Sequence, residues 1–190
     1  LATGETIYIG RDKFENEDLI KFAWPEDIWF HVDNLSSAHL YLRLYDTGYT
    51  FETIPDDVLL ACAALVKANS IEGCKKHEVD VCYTPASNLK KTPSMEVGQV
   101  SYKNSKLVSF VNNVEKNHEI VKPIVKTKIE SNPNFEKEYE DHMNELASIK
   151  HAEKLKKKNE EKAKIKEKEK IEAAKKKDLE DFHNRRYERS

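Results

Sequence analysis

The chain has 190 residues, 35% of them charged, and its 32 basic and 34 acidic residues leave a net charge of −2. That length accommodates one domain of ordinary size and an extension. No run approaches the roughly 18 apolar residues of a membrane-spanning helix. Three cysteines without CxxC spacing, Cys62, Cys74 and Cys82, indicate no disulfide framework and favour a reducing compartment.

Charge is distributed unevenly along the chain. Residues 1–134 carry 15 basic and 19 acidic residues, a net charge of −4, whereas residues 135–190 carry 17 basic and 15 acidic residues. The average field of the first part does not attract phosphate, so nucleic-acid binding there requires a local basic patch. The predicted organisation is a domain over residues 1–130 and a Lys/Glu-rich helical extension over residues 131–190.

The early part of the chain alternates strand and helix patterns. The predicted elements are a strand at Thr6–Ile9, a helix at Glu15–Ala23, and strands at Asp27–Asp33 and His39–Leu44. Only a short loop separates the last two strands, so we expect them to pair as a hairpin. If their leucine and isoleucine residues are buried, the opposite face carries Trp29, His31, His39, Tyr41 and Arg43.

Helix and strand patterns continue through the predicted domain. Thr53 is a suitable cap and Pro55 a suitable first-turn residue for a helix that runs to about Asn69. The further elements are a strand at Val79–Tyr83, candidate strands at Val97–Tyr102 and Leu107–Val111, and a helix over Asn112–Ile129 interrupted near Pro123. The sequence therefore predicts an α+β fold, with a small mixed or antiparallel sheet and packed helices.

From Phe135 the chain consists largely of lysine, glutamate and alanine. Its apolar residues are too sparse for sustained heptads, so we predict a long solvated helix, with a weak coiled coil as the alternative. Lysines at steps of four residues form a slowly winding stripe on this helix: Lys154, Lys158, Lys162, Lys166 and Lys170. The stripe either tracks phosphates or is an ordinary solvated face, because glutamates are interspersed in it.

Motifs of catalysis do not occur in the sequence. It contains no phosphate-binding loop, no HExxH, no GxSxG and no Cys/His zinc spacing. We therefore expect no enzymatic activity, no cofactor and no metal.

The face that carries Trp29 and Tyr41 is the first feature that points to nucleic acid. Aromatic planes stack on bases and contribute roughly 1–3 kcal/mol per base. The alternative is that a helix covers this second face of the sheet, as in many α+β domains.

Basic residues on loops are the second such feature. Lys90 and Lys91 follow a predicted strand, and Arg11 follows a glycine, positions that suit contacts to phosphate oxygens. The alternatives are a solvated loop for the lysines and a surface ion pair of Arg11 with Asp12 or Glu15.

Five sequence blocks resemble the NFACT-R domain family, in the order in which that family carries them. The blocks are GRDKFENEDLIKFAWPE, DIWFHVDNLSSAHLYLR, ACAALVKANS, VDVCYTPASNLKK and MEVGQVSY, and the resemblance covers about residues 6–130. The family includes stand-alone copies of the domain, ribosome-associated quality-control factors and bacterial fibronectin-binding-like proteins. The motif positions that match are Gly10, Arg11, Asn16, Asp27, Trp29, His31, Ser36, Ser37, His39, Lys90 and Lys91.

The resemblance implies an α+β domain that binds RNA without enzymatic activity, with relatives that act at the large ribosomal subunit and contact tRNA. RNA is thus the expected partner and the cytoplasm the expected location. An animal member is described as a membrane-associated receptor for DNA, so DNA binding, with a membrane-associated or nuclear location, is the alternative. Protein binding through residues 135–190 is a third hypothesis.

The expected nucleic-acid site combines the pattern and the resemblance. Its residues are Arg11, Asn16, Trp29, His31, His39, Tyr41, Arg43, Lys90 and Lys91. We expect the basic members and the histidines to line one positive cleft.

Overall fold

The computed structural model describes residues 5–187, and their side chains as far as residue 180. The chain divides into two units, residues 1–140 and residues 141–190. Among the described residues, no helix is both long enough and apolar enough to cross a membrane. The predicted domain boundary after residue 130 stays a prediction.

The first unit is built on an antiparallel sheet. Its strands and those of a small second sheet are β1 Thr6–Ile9, β2 Asp27–Val32, β3 Leu40–Arg43, β4 Glu78–Pro85, β5 Leu89–Lys90, β6 Ser101–Tyr102 and β7 Ser109–Glu115. The large sheet has five strands in the order β1-β3-β2-β4-β7, and β5 pairs with β6. β2 and β3 pair as predicted, with Trp29 opposite Tyr41.

Four α-helices occur among the described residues: α1 Lys13–Phe22, α2 Asp56–Ala68, α3 His118–Lys126 and α4 Phe135–Tyr187. Together with the antiparallel sheet they confirm the predicted α+β fold and its long C-terminal helix. α1 starts two residues before its predicted start because the Asp12 side chain accepts hydrogen bonds from the first free backbone amides of the helix.

Two predictions about helix starts are wrong. Thr53 does not cap α2, because its hydroxyl instead accepts a hydrogen bond from the backbone N–H of Thr50, and Pro55 precedes the helix. The helix predicted from Asn112 is a strand as far as Glu115, and α3 begins only after Asn117, whose side chain caps it. A side-chain hydrogen bond therefore fixes the start of α3, whereas α2 begins after Pro55 without a side-chain cap.

Both faces of the large sheet are covered. On one face, the predicted apolar residues of β2 and β3, among them Phe30 and Leu42, pack against residues of α2 such as Val66. On the other face, Trp29 and Tyr41 pack with residues of α1, β5 and the start of α4. The candidate site therefore lies on a covered face rather than on an open sheet.

Candidate nucleic-acid interface

The aromatic face of β2 and β3 is buried. Trp29 and Tyr41 are each 2% exposed, because they pack with Leu19 of α1 and Leu89 of β5. His39 is 4% exposed. The prediction of an open stacking platform is therefore wrong, and its alternative, a face covered by other elements, is what the structure contains.

Two histidines pack against the buried tryptophan. The ring of Trp29 stacks on His31, with centroids 5.3 Å apart and planes at 10°, and meets His39 edge-on at 5.3 Å. Burial, with a smaller contribution from His31, lowers the pKa of His39 to about 3, and burial also lowers the pKa of His31. Both rings are mainly neutral at physiological pH, so neither supplies a stable positive charge for phosphate.

Arg43 is held in a bidentate ion pair. Its Nε and Nη2 donate to the two carboxylate oxygens of Asp27 at 3.0 and 3.2 Å, and its guanidinium lies 3.6 Å from the centroid of the Trp24 ring. Burial raises the pKa of Asp27, although the Arg43 guanidinium opposes this. The charge of Arg43 is thus largely compensated within the domain.

Arg11 forms the ion pair with Glu15 that the sequence left open. Nη2 lies 3.0 Å from Glu15 Oε1, and Nη1 donates to Asn132 Oδ1 at 2.5 Å. The Arg11 side chain is nevertheless 61% exposed, so it is accessible to a phosphate. Asn16, in contrast, is buried against Gly10.

Lys91 fastens the loop of residues 91–99 to α1. Its Nζ donates to Glu17 Oε1 at 2.5 Å and to the carbonyl oxygens of Glu96 and Gln99 at 2.6 and 2.9 Å. Burial tends to raise the pKa of Glu17, but the hydrogen bonds from Lys91 and from the Gly98 N–H hold it below its usual value. A phosphate contact by Lys91 would compete with these bonds, and it stays a prediction.

Lys90 belongs to a locally basic segment. We call residues 86–107 the basic segment, because they contain four lysines and one glutamate in a unit that is acidic overall. Lys90, Lys103 and Lys106 are exposed. Sequence reasoning singled out Lys90 and missed the other two lysines. In the pairing of β5 with β6, Lys90 lies opposite Ser101, two residues before Lys103.

Asn88 anchors the basic segment. Its side-chain amide donates to the carbonyl oxygen of Asn104 and to the hydroxyl of Thr84, both at 2.9 Å, and its Oδ1 accepts from the Asn104 N–H at 2.9 Å. Its carbonyl oxygen accepts from the Lys103 N–H at 2.8 Å. The backbone that carries the exposed lysines is therefore fixed at both ends.

A partly enclosed cavity of about 140 Å³ lies on the face opposite α2. Its floor consists of two neighbouring rows of the sheet, in which Tyr8 pairs with Tyr41, and Asp27 with Arg43. The walls are formed by the end of α1 with the two residues after it, and by the segment before α4 with the first turn of that helix. Their residues are Leu19, Phe22, Ala23, Trp24, Ser131, Pro133, Phe135 and Glu138.

Sequence reasoning missed this cavity, although one signal for it was present. In β1, Tyr8 stands between Ile7 and Ile9 and must therefore face the opposite side of the strand. Phe135, which meets the Tyr8 ring edge-on at 5.3 Å, comes from 127 residues further along the chain, and no local pattern indicates that approach.

The predicted site residues thus fall into three groups. Trp29, Tyr41, His39 and Asn16 are buried, and His31 stacks on Trp29. Arg11 and Lys91 each pair with a carboxylate of α1, Arg43 pairs with Asp27 at the start of β2, and Lys90 is exposed on the basic segment. Among the described side chains of residues 5–180, no three from His, Cys, Asp or Glu converge as a metal site would require.

Comparison with known families bears on what these residues do. A family model described as "NFACT protein RNA binding domain" matches residues 2–104. The chain is 57% identical to coiled-coil domain-containing protein 25 of Bos taurus over 143 residues, 74% of this chain and 68% of that protein. Identity to the protein of the same name from Mus musculus is 55% over 148 residues, 78% of this chain and 71% of that protein.

A solved structure shares the fold. The C-terminal part of the fibronectin/fibrinogen-binding protein from Streptococcus suis matches with a TM-score of 0.52 and 22% identity, over 63% of this chain and 44% of that chain. At that identity the likeness concerns the fold alone. The sequence matches, in contrast, confirm the resemblance carried by the five blocks, and they support a nucleic-acid-binding role.

Proposed function

The chain belongs to the NFACT protein RNA binding domain family, and from that membership we propose that it is a non-catalytic RNA-binding module of the cytoplasm, with tRNA or ribosomal RNA as its ligand. The observation that carries the proposal to this chain is the basic segment. It places three exposed lysines on an anchored backbone in a unit whose average charge does not favour phosphate.

The basic segment is suited to contacts with the RNA backbone. Lysine ammonium groups bind phosphate oxygens as point charges and release condensed counterions from the nucleic acid. Because Asn88 fixes the backbone on both sides, Lys90, Lys103 and Lys106 lose little backbone entropy on binding. Arg11, 61% exposed beside α1, is a further cation for the same ligand.

The state of the nucleophilic side chains supports a role without catalysis. Burial raises the pKa of the Cys62 thiol and of the Cys82 thiol, so both are protonated at physiological pH. His39 is neutral and is buried against the Trp29 ring. These groups are therefore poor nucleophiles or general bases for a substrate.

Filter binding of labelled tRNA tests the proposal. The lysines of the basic segment are replaced together, Lys90→Ala, Lys103→Ala and Lys106→Ala, and the control replaces exposed lysines elsewhere, Lys75→Ala, Lys76→Ala and Lys122→Ala. Both variants lose the same formal charge. We expect the first to lower tRNA affinity at least tenfold and the control to lower it much less.

Competition decides between RNA and DNA. Unlabelled duplex DNA should displace tRNA only at a much higher concentration than unlabelled tRNA does. Stronger displacement by DNA would contradict the RNA assignment and favour the DNA alternative. Equal loss of affinity in the two lysine variants would contradict the role of the basic segment.

Protein binding through α4 is a second candidate function. Ile149, Leu155, Ile165 and Ile171 are each about half exposed on a helix that otherwise consists largely of charged residues. Replacing Leu155 and Ile165 with glutamine removes apolar contact surface without a change in charge. If α4 binds a protein partner, this variant loses the copurifying partner and keeps its affinity for tRNA.

A further inference from the structure

The cavity over β1 and β3 has the size of one small aromatic ring. Its volume is about 140 Å³, and an engineered apolar cavity of about 150 Å³ in another protein binds benzene. Aromatic side chains form much of its lining, with Tyr8, Trp24, Tyr41 and Phe135 among them. A flat ring of pyrimidine size therefore matches both its volume and its lining.

One polar group of the cavity lining has no partner within the described protein. Tyr41 is 2% exposed, and its hydroxyl is buried without a hydrogen-bond partner. A buried hydroxyl without a partner costs free energy, so its retention is explained if a ligand supplies the hydrogen bond. Burial raises the pKa of Tyr41, which keeps the hydroxyl protonated and able to donate.

The neighbouring row of the sheet adds charge at the edge of the same cavity. The carboxylate of Asp27 and the guanidinium of Arg43 line it, paired with each other. Tyr8, also in the lining, donates to Glu15 at 3.2 Å, and Glu15 pairs with the exposed Arg11. A cation thus lies beside the cavity, where the phosphate that follows an inserted base would need one.

We propose that the cavity lined by Tyr8, Tyr41 and Phe135 binds one unstacked pyrimidine base of an RNA strand. The base would lie among the aromatic rings, accept a hydrogen bond from the Tyr41 hydroxyl through a ring carbonyl, and leave its phosphate near Arg11. RNA-binding proteins commonly recognise unstacked bases in this way. This inference rests on the proposed function and assigns a base subsite separate from the lysines of the basic segment.

Filling the cavity tests the proposal. Ala23 lies in the wall with an extended backbone (φ −59°, ψ 142°), which accommodates a larger side chain. Ala23→Leu in the full chain should lower affinity for a short oligouridine about tenfold or more. The matched control, Ala68→Leu at the exposed end of α2, should leave the affinity unchanged.

Tyr41→Phe removes the hydroxyl and keeps the ring. We expect about a threefold or larger loss of oligouridine affinity, with a melting temperature that does not fall, because the deleted hydroxyl has no partner in the free protein. If Ala23→Leu does not fold, Tyr41→Phe tests base binding in the cavity in its place. Unchanged affinity in Tyr41→Phe would overturn the hydrogen-bonding part of the proposal.

Photocrosslinking locates the base directly. A short oligouridine with a single 5-iodouridine should crosslink to peptides that contain Tyr8, Tyr41 or Phe135. Tight binding with crosslinks only elsewhere, and full affinity in Ala23→Leu, would overturn the base subsite and leave the RNA-binding function standing. Failure of the unaltered protein to bind any RNA would overturn the proposed function and the subsite together.

Discussion

Position 10 requires a glycine because the side chain of Asn16 occupies the space that a Cβ would need. A Cβ at this position would lie 2.0 Å from Asn16 Oδ1 and 3.2 Å from Leu19 Cδ1. Gly10→Ala should therefore lower the free energy of unfolding by about 1–3 kcal/mol, as overpacking of a filled site does. Urea unfolding measures the change.

Asn16→Ala provides the matched second variant for Gly10. Because it removes the atom that a Cβ would meet, the double variant should be less destabilised than the sum of the two single variants. Strict additivity would contradict the contact. The pair would explain in physical terms why a glycine and an asparagine stand six positions apart in this chain.

His39 makes stability depend on pH. Its pKa is about 3 in the folded protein, against about 6.5 when unfolded, so the unfolded chain binds more protons below pH 6.5. The contribution of neutral His39 is therefore complete above that pH and is lost as the pH falls towards 3. Between pH 7.5 and 5.5 we expect a loss of about 1.4 kcal/mol from this residue.

Urea unfolding of His39→Gln at the two pH values checks this expectation. The variant should lose less stability on acidification than the unaltered protein, while keeping the smaller contribution of His31, whose pKa burial also lowers. Glu17 and Lys91 also act electrostatically on His39, and they are present in both proteins. The same loss in both would contradict a buried neutral His39.

At the scale of elements, two adjacent lysines have different surroundings. Lys91 holds the loop of residues 91–99 through Glu17 and two backbone carbonyls, whereas Lys90 is exposed. Lys91→Ala should lower the melting temperature and speed proteolysis within this loop. Lys90→Ala should leave both unchanged and weaken RNA binding. The reverse assignment of effects would contradict the contacts of Lys91.

The strands could be predicted from the sequence more readily than what covers them. Alternation of apolar and polar residues identifies β2 and β3 and places Trp29 and Tyr41 on the same face, but it does not give the register that sets them opposite each other. Nothing in that local pattern distinguishes an open face from one covered by α1.

The ion-pair partners of charged residues cannot be predicted from the sequence when they are far apart along the chain. Lys91, for example, pairs with Glu17, 74 residues before it. The ion pair of Arg11 with Glu15 is open to prediction, because its two residues are only four positions apart in the sequence.

At the scale of the whole molecule, two basic features compete for the role of RNA contact. The stripe of Lys154, Lys158, Lys162, Lys166 and Lys170 is exposed, but glutamates lie between its members. Replacing these five lysines with glutamine should therefore change RNA affinity less than replacing the three lysines of the basic segment. A larger effect of the stripe in filter binding would assign the RNA contact to α4 instead.

The salt dependence of tRNA binding tests the central claim most directly. Removing one lysine that binds a phosphate should reduce the slope of log K against log salt concentration by about one. For the variant Lys90→Ala, Lys103→Ala, Lys106→Ala we therefore predict a slope shallower by about two to three, and an unchanged slope for the control variant Lys75→Ala, Lys76→Ala, Lys122→Ala. Equal slopes for the unaltered protein and both variants would contradict the assignment of the phosphate contacts to the basic segment.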